Sequence, residues 1–426
     1  MDAPWHHNSR MPFIRGNVTY ARFRIGGDAP ARIDQSLLDA FASGRLVPTV
    51  GVPTDVETGW TAGEHILDHD FAWDRCVFDG RVHAAMRMDA VRVPGEIRAA
   101  YVAQEQTALR KAMADRGGDA AGMPAKPLGR NAKREAKEAA ERRWLEEVAD
   151  GRYRSSKLVP MVWDPATATI LAPATSEKVF DALRDLFQAT FGARLQAQSA
   201  GGLALDLLIA KGIASAFDDV MPDAFTAAPT PRNLEQSAEV GERPDVPWAM
   251  AGPEPKDFLG NVFLLWLWWH TEANEGLFDL EDGRSVSMMV DRSIDMECAW
   301  GVTGRQSLRG DGPGRSAEVS KALQQGKWPR KIGFTVADGE AEWTFDLQGD
   351  LFRVGGLKIP RPEDRPGSEH EAIAQRIEST FDVDGILLEL YGRFLDERFS
   401  GTWNSRRGEL REWIAGKNTA RVMATV

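Results

Sequence analysis

The sequence predicts an α+β fold with antiparallel sheets and long central helices. Two patterns carry that expectation. Alternating apolar and polar residues, the mark of a half-buried strand, occur at residues 13–25, 330–336, 342–347 and 351–359. Helical periodicity fills residues 94–111, 131–148 and 369–399. Strands and helices do not follow each other as a regular βαβ series. No repeat of fixed period is present.

The opening strand, FIRGNVTYARFRI, leads into a short amphipathic helix over residues 33–41 that Gly44 stops. The stretch VPTVGVPTDVETGW is too rich in Pro and Gly for a long element. Asp79-Gly80, between RCVF and RVHAAMRM, predicts a tight hairpin, because both residues tolerate the left-handed backbone such a turn needs. Pro94 suits the first turn of the next helix. RGGDAAGMPAKPLG, residues 116–129, separates that helix from a second one over 131–148. Residues 157–172 read as two strands joined at Asp164-Pro165, and residues 176–191 as a helix opened by a Thr/Ser cap.

Residues 217–257, rich in Pro, Ala and acids, read as a linker or surface insertion. Beyond them, residues 258–269 form a buried element, 285–302 a hairpin, RGDGPGR a loop and 316–325 a short helix. Three strands, the long helix over 369–399 and a basic tail complete the chain. These breaks divide it into an N-terminal α+β subdomain (11–93), paired central helices (94–157), a strand–helix subdomain (158–216), the linker (217–257), a C-terminal α+β subdomain (258–397) and the tail (398–426).

With 426 residues, 43% of them hydrophobic, the chain can bury sizeable cores and is not a disordered polymer. Its 52 Lys and Arg against 63 Asp and Glu give a net charge of −11. Such a body repels nucleic acid and anionic membranes, so any role on DNA needs a local basic surface. Two cysteines, Cys76 and Cys298, exclude a disulfide framework and a multi-cysteine zinc site, and their scarcity fits a reducing compartment. MDAPWHHNSRMP has no apolar signal core and FLGNVFLLWLWW is too short to span a bilayer. The expectation is a cytoplasmic protein with no membrane partner.

The most informative feature is the charge pattern of residues 126–157. Ten basic residues face six acidic ones there, a local +4, and −11 less +4 leaves −15 for the rest. At 100° per residue, Arg130, Lys133, Arg134 and Lys137 share one helix face about 100° wide. A cationic face of that kind displaces counterions from phosphates without reading bases. A solvated helix laced with Glu/Lys pairs has the same composition. Just beyond, Arg152-Tyr153-Arg154 sets an aromatic between two guanidinium groups, suited to stacking on a base or to a subunit contact, and common on ordinary surfaces too.

Other motifs point less far. His65 and His69 have a zinc-like spacing, but turn residues surround them and no cysteine completes a shell. Asp382 with Asp384, and Glu363 with Asp364, are the carboxylate pairs a magnesium-dependent nuclease would use. Gly26-Gly27 and Gly355-Gly356 lack the context of a nucleotide cradle, and no GxSxG elbow nominates a serine nucleophile. Catalysis therefore has no positive signal, and no cofactor or metal is expected. Trp266, Trp268 and Trp269 form either a stacking platform or, in so apolar a run, part of the core.

Taken in order, several blocks resemble the recombination-associated protein RdgC family. FIRGNVTYARFRI resembles that family's first strand and Thr58-Gly59-Trp60 its Gly-Trp turn. The helix from Pro94 and the Lys/Arg/Glu-rich helix before Trp144 resemble its two long central helices. GRYRSSKLVPMVWDP is similar to its arginine-and-aromatic segment leading into a strand that ends in Asp. SAEVSKALQQGKWPRKIGFTV and FDVDGILLELYGRFL resemble its three-stranded unit and closing helix. The segments near Gly117 and Pro231, residues 271–314 and the tail after Arg398 are longer than in compact members, and Glu389-Leu390 matches the family's closing Gly-Glu-Leu only loosely.

The resemblance implies a curved, multi-subdomain chain that forms a ring-shaped homodimer around duplex DNA. It implies nonspecific binding, association with the nucleoid and restraint of the RecA recombinase, with no catalytic chemistry. By position, the DNA-binding residues would be Arg130, Lys133, Arg134, Lys137, Arg152, Arg154 and Lys157, with Arg353 and Lys358 as lesser contributors to the basic lining. Tyr153 would stand at the dimer interface. The alternatives from the residues are the magnesium-dependent nuclease and a protein-interaction scaffold that does not touch DNA.

Overall fold

A computed structural model describes residues 13–47, 56–117, 128–229, 247–248, 252–273, 275–361 and 366–416. In the N-terminal half it contains β1 (Val18–Gly26), α1 (Gln35–Ser43), β2 (Glu57–Thr61), α2 (Trp73–Cys76), β3 (Val77–Phe78), β4 (Arg81–Val91), α3 (Gly95–Gly117), α4 (Arg130–Ala149), β5 (Arg154–Asp164), β6 (Thr169–Ala172), α5 (Glu177–Phe191), β7 (Arg194–Ala197), α6 (Ala200–Ala210) and α7 (Ser215–Asp218). The C-terminal half adds α8 (Phe258–Ala273), β8 (Leu277–Asp279), β9 (Ser285–Cys298), β10 (Gln306–Gly310), α9 (Ala317–Gln324), β11 (Lys327–Asp338), β12 (Ala341–Gln348), β13 (Arg353–Lys358), α10 (Glu369–Arg398) and α11 (Trp403–Ile414).

The fold is α+β, as the patterning predicts. Its 13 strands belong to one continuous antiparallel sheet with the main order β10-β9-β11-β12-β13-β1-β6-β5-β4-β2. β1 joins the two halves: Val18 and Tyr20 pair with β13, and residues 21–26 pair with β6 and β7. Alternation along β5 and β6 assigns each face. Met161, Trp163, Ile170 and Ala172 point into a core with Leu38, Phe41, Leu183 and Phe187 of α1 and α5. Val162 and Leu171 point the other way, into a larger core with α8 and α10. One face of the C-terminal half, by contrast, stays polar. Ser293, Lys331, Gly333, Thr344, Asp346 and Lys358 line a shallow groove of about 340 Å³ on it.

α8 is helical because its apolar residues surround the whole axis rather than one stripe, which requires burial on every side. Every residue from Phe258 to Trp269 is buried. Gly260 lets this helix cross the β12–β13 turn, where a Cβ would stand 2.0 Å from the Gly349 carbonyl oxygen. Trp266, Trp268 and Trp269 are core residues, and the Trp266 and Trp268 indoles donate to Glu397 and Glu272. Of the two roles the sequence allows them, the interior one holds.

Several expectations do change. Residues 285–302 do not form a hairpin: β9 is one long strand, and Arg292 at φ 61° marks a bulge inside it, where the pairing with β11 slips between Ile294 and Val290. The turn that does reverse direction follows Cys298 and leads to β10. The tail contains α11, which buries Trp403, Leu410 and Ile414. Ser176 occupies the N-cap of α5 through its backbone carbonyl alone, with no side-chain cap. Pro94 precedes α3 and accepts from the Arg98 amide. Val220, Phe225 and Trp248, within the expected linker, pack into the larger core. No helix among the described residues is long and apolar enough to cross a membrane.

Candidate nucleic-acid interface

The paired central helices grow from one end of the sheet. β4 ends at Val91, opposite Arg154 at the start of β5, and α3 and α4 are inserted between those strands. The helices run antiparallel and pack chiefly on each other. Ala136 and Ala140 are fully buried on α4, and their small side chains allow close approach of the two axes. Arg143 fixes the register by bonding Glu105 at 2.9 Å and lying over the Tyr101 ring at 4.9 Å. The Arg98 guanidinium lies 5.7 Å over the Trp144 ring.

Glu147 organises the base of this arm. It accepts from Tyr101 (2.6 Å), Tyr153 (2.5 Å) and Arg152 (2.6 Å). Those bonds from Tyr101 and Tyr153 outweigh burial and, with the charge of Arg152, hold the Glu147 carboxyl below its ordinary pKa. Tyr153 sits at φ 63°, a conformation rare for a bulky side chain, and its carbonyl accepts from the Arg92 amide. Tyr153 is half-buried within its own chain, in the turn that returns α4 to the sheet.

The seven cations singled out in the sequence divide into two groups. Arg130, Lys133 and Lys137 lie exposed on α4 and form no ion pair among the described residues, and Lys157 does the same on β5. Arg134 is exposed too, with Glu138 only 3.6 Å away. Arg152 is spent on Glu147. Arg154 is turned inward, bonded to Glu57 and, at 3.2 Å, to the buried Asp89, which also takes two bonds from Arg87. Burial works against the Asp89 carboxylate. Hydrogen bonds from Arg87 and Ser156 and the charges of Arg87 and Arg154 outweigh it, so its pKa lies below the ordinary value.

By strand pairing, Lys157 shares a sheet face with Met88 and Val159, the face that carries Lys358 at the far end. Lys358 is exposed and unpaired among the described residues. Arg353 is half-buried, its Nε lacks a partner among the described residues, and burial, opposed by Asp350, pulls its pKa down. Two cations escaped the sequence reading. Arg110 and Lys111 on α3 are exposed and unpaired among the described residues. The register set by Arg143 and Glu105 brings Lys111 level with Lys137. Only the packing of α3 on α4 could reveal that neighbourhood.

The other candidates are placed elsewhere. Residues around His65 form turns rather than a helix, and the His65 Nδ1 accepts from the Leu67 amide. Asp384 is buried against Arg22 and Tyr20 in the interior, away from its neighbour Asp382 in role. Glu363 and Asp364 lie outside the described residues. Cys76 and Cys298 are buried thiols, and burial pushes Cys76 up to about 12. Comparison of the chain with protein-family models finds no match, and comparison with curated proteins finds none.

Proposed function

We propose that this chain is a diverged member of the recombination-associated RdgC family and binds duplex DNA without regard to sequence. In this reading two curved subunits close into a ring on DNA, associate with the nucleoid and restrain the RecA recombinase, with no chemistry on the nucleic acid. One observation supports it most. Among the described residues, the exposed cations Arg130, Lys133 and Lys137 stand unpaired at the distal end of α4, whereas the arginines of the body are largely engaged by carboxylates.

Distance answers the objection from net charge. Arg130 opens α4 and Ala149 closes it beside the sheet, so the cations begin about 28 Å from the arm's base at 1.5 Å per residue. That is several Debye lengths at physiological salt, where each is about 8 Å. The acidic body is screened from a phosphate that the arm meets. From Arg130 to Lys137 the axis rises about 10 Å, the span of about three phosphates of one strand.

Fluorescence anisotropy on two unrelated duplexes across a salt series tests the reading. The chain binds both alike, and Arg130→Ala/Lys133→Ala/Lys137→Ala weakens both alike, lowering the slope of log affinity against log salt by about 2 to 3. No binding at low salt, or a loss confined to one duplex, overturns it. Degradation of the duplex with Mg²⁺ present would transfer the case to a nuclease.

A further inference from the structure

A cleft far from the arm carries a second, independent reading. Two cavities of about 780 Å³ each adjoin one another where α2 and the loop before it face the start of α10. Asp74 and His370 line both. Each is of the size that takes a small molecule.

The polar groups of this cleft are unevenly satisfied. Two of its three arginines are in use. Arg75 bonds Glu64 at 2.7 Å, Asp68 at 3.2 Å and Asp70 at 3.4 Å, and Arg15 bonds Glu369 at 3.2 Å. At the N-terminus of α10, Ser368 accepts from the Glu371 amide and Glu371 accepts from the Gly367 amide. Arg32, in the lining of the second cavity, is exposed and has no ion pair among the described residues. Two acceptors stand out. The Asp74 carboxylate is exposed and has no ion pair among the described residues. His83 is 1% exposed, bonds the Ala62 backbone through its ring, and leaves Nε2 without a partner among the described residues. Burial pulls the His83 pKa down to about 4, so the ring is neutral at pH 7 and Nε2 keeps its lone pair. An unmet buried acceptor costs free energy that a ligand donor would recover.

Trp73 completes the cleft. It is half exposed beside Asp74 and lines the second cavity, where its ring face suits a cation. We propose that this cleft binds a small aliphatic diamine, one ammonium at Asp74 and Trp73 and the other donating toward His83. Five carboxylates against three guanidinium groups in the lining disfavour a dicarboxylate of the same length, and the site stands apart from the proposed DNA contact.

Isothermal titration of the full chain with 1,5-diaminopentane, and with glutarate as the anionic counterpart, tests the site. The diamine saturates at one per chain and glutarate does not bind. Asp74→Asn weakens the diamine about tenfold or more, and His83→Phe weakens it while keeping a ring in the core. Glu318→Gln, an exposed acid on α9, leaves it unchanged. Absence of saturation, equal binding of glutarate, an unaltered affinity in Asp74→Asn, or an equal loss in Glu318→Gln overturns the proposal.

Discussion

α4 and α8 are both long helices, and they use their side chains in opposite ways. α8 buries every residue from Phe258 to Trp269. α4 buries only Ala136, Ala140 and Val148. A helix hydrophobic on all sides gains its stability from the core that encloses it. One that is polar on nearly all sides is held by a narrow contact, here through Arg143 and Glu147, and the charges away from that contact are free of structural duty. The difference separates residues kept for folding from residues available for a ligand. In the body, Arg22, Arg154 and Arg330 are tied to Asp384, Asp89 and Asp350. On the arm, Arg130, Lys133 and Lys137 have no such ties among the described residues.

The sharpest way to break this contrast is to empty a site in α8. Trp268 is fully buried, meets the Trp413 ring at 5.3 Å and donates to Glu272. Trp268→Ala should cost about 3–5 kcal/mol, read as a lower denaturant midpoint. A loss under about 1 kcal/mol would mean that α8 is not the anchor its burial indicates.

Acid should act on the body as well. Burial lowers the His83 pKa from 6.5 to about 4, against the opposing pull of the Ala62 bond and Asp68. The unfolded chain takes up a proton near pH 6.5 that the native state refuses until about pH 4. Stability from this group is therefore intact above pH 6.5 and falls as the pH drops toward 4, by about 3 kcal/mol over the window. Denaturant midpoints at pH 7 and pH 5 measure it, and His83→Phe should flatten the dependence. An unchanged slope in that variant would assign the acid sensitivity to other groups.

What the sequence reveals follows the same division. α8 is legible because ten of twelve adjacent residues are large and apolar, and the cationic stripe of α4 is legible because its members are three and four residues apart. Both signals are local. The partners of Arg154 are not: Asp89 is 65 residues away and Glu57 is 97, so no local pattern tells that this arginine turns inward while Lys157, three residues on, stays exposed. The bulge at Arg292 imitates a turn because both interrupt alternation, and only the continuous partner β11 distinguishes them. α11 reads as a basic tail because four of its twelve residues are apolar or aromatic at most, yet Arg406 and Arg407 are held by Glu397 and Asp223. The Asp74–His83 cleft depends on α10 reaching β3, where His370 bonds the Val77 carbonyl, a contact between segments 293 residues apart.

The smallest expected effect tests the arm's side of the contrast. Arg134 lies 3.6 Å from Glu138 on an exposed surface, an i,i+4 pair in water. Such a pair contributes about 0.3–0.5 kcal/mol, and less at high salt. Arg134→Ala should therefore shift the denaturant midpoint barely above error. If the arm binds phosphates, the same change should still lower duplex affinity and remove up to about one unit of salt slope, because Arg134 lies on the face of Lys133 and Lys137. A large stability loss with no change in affinity would show the charge to be structural, and the arm would then resemble the body rather than differ from it.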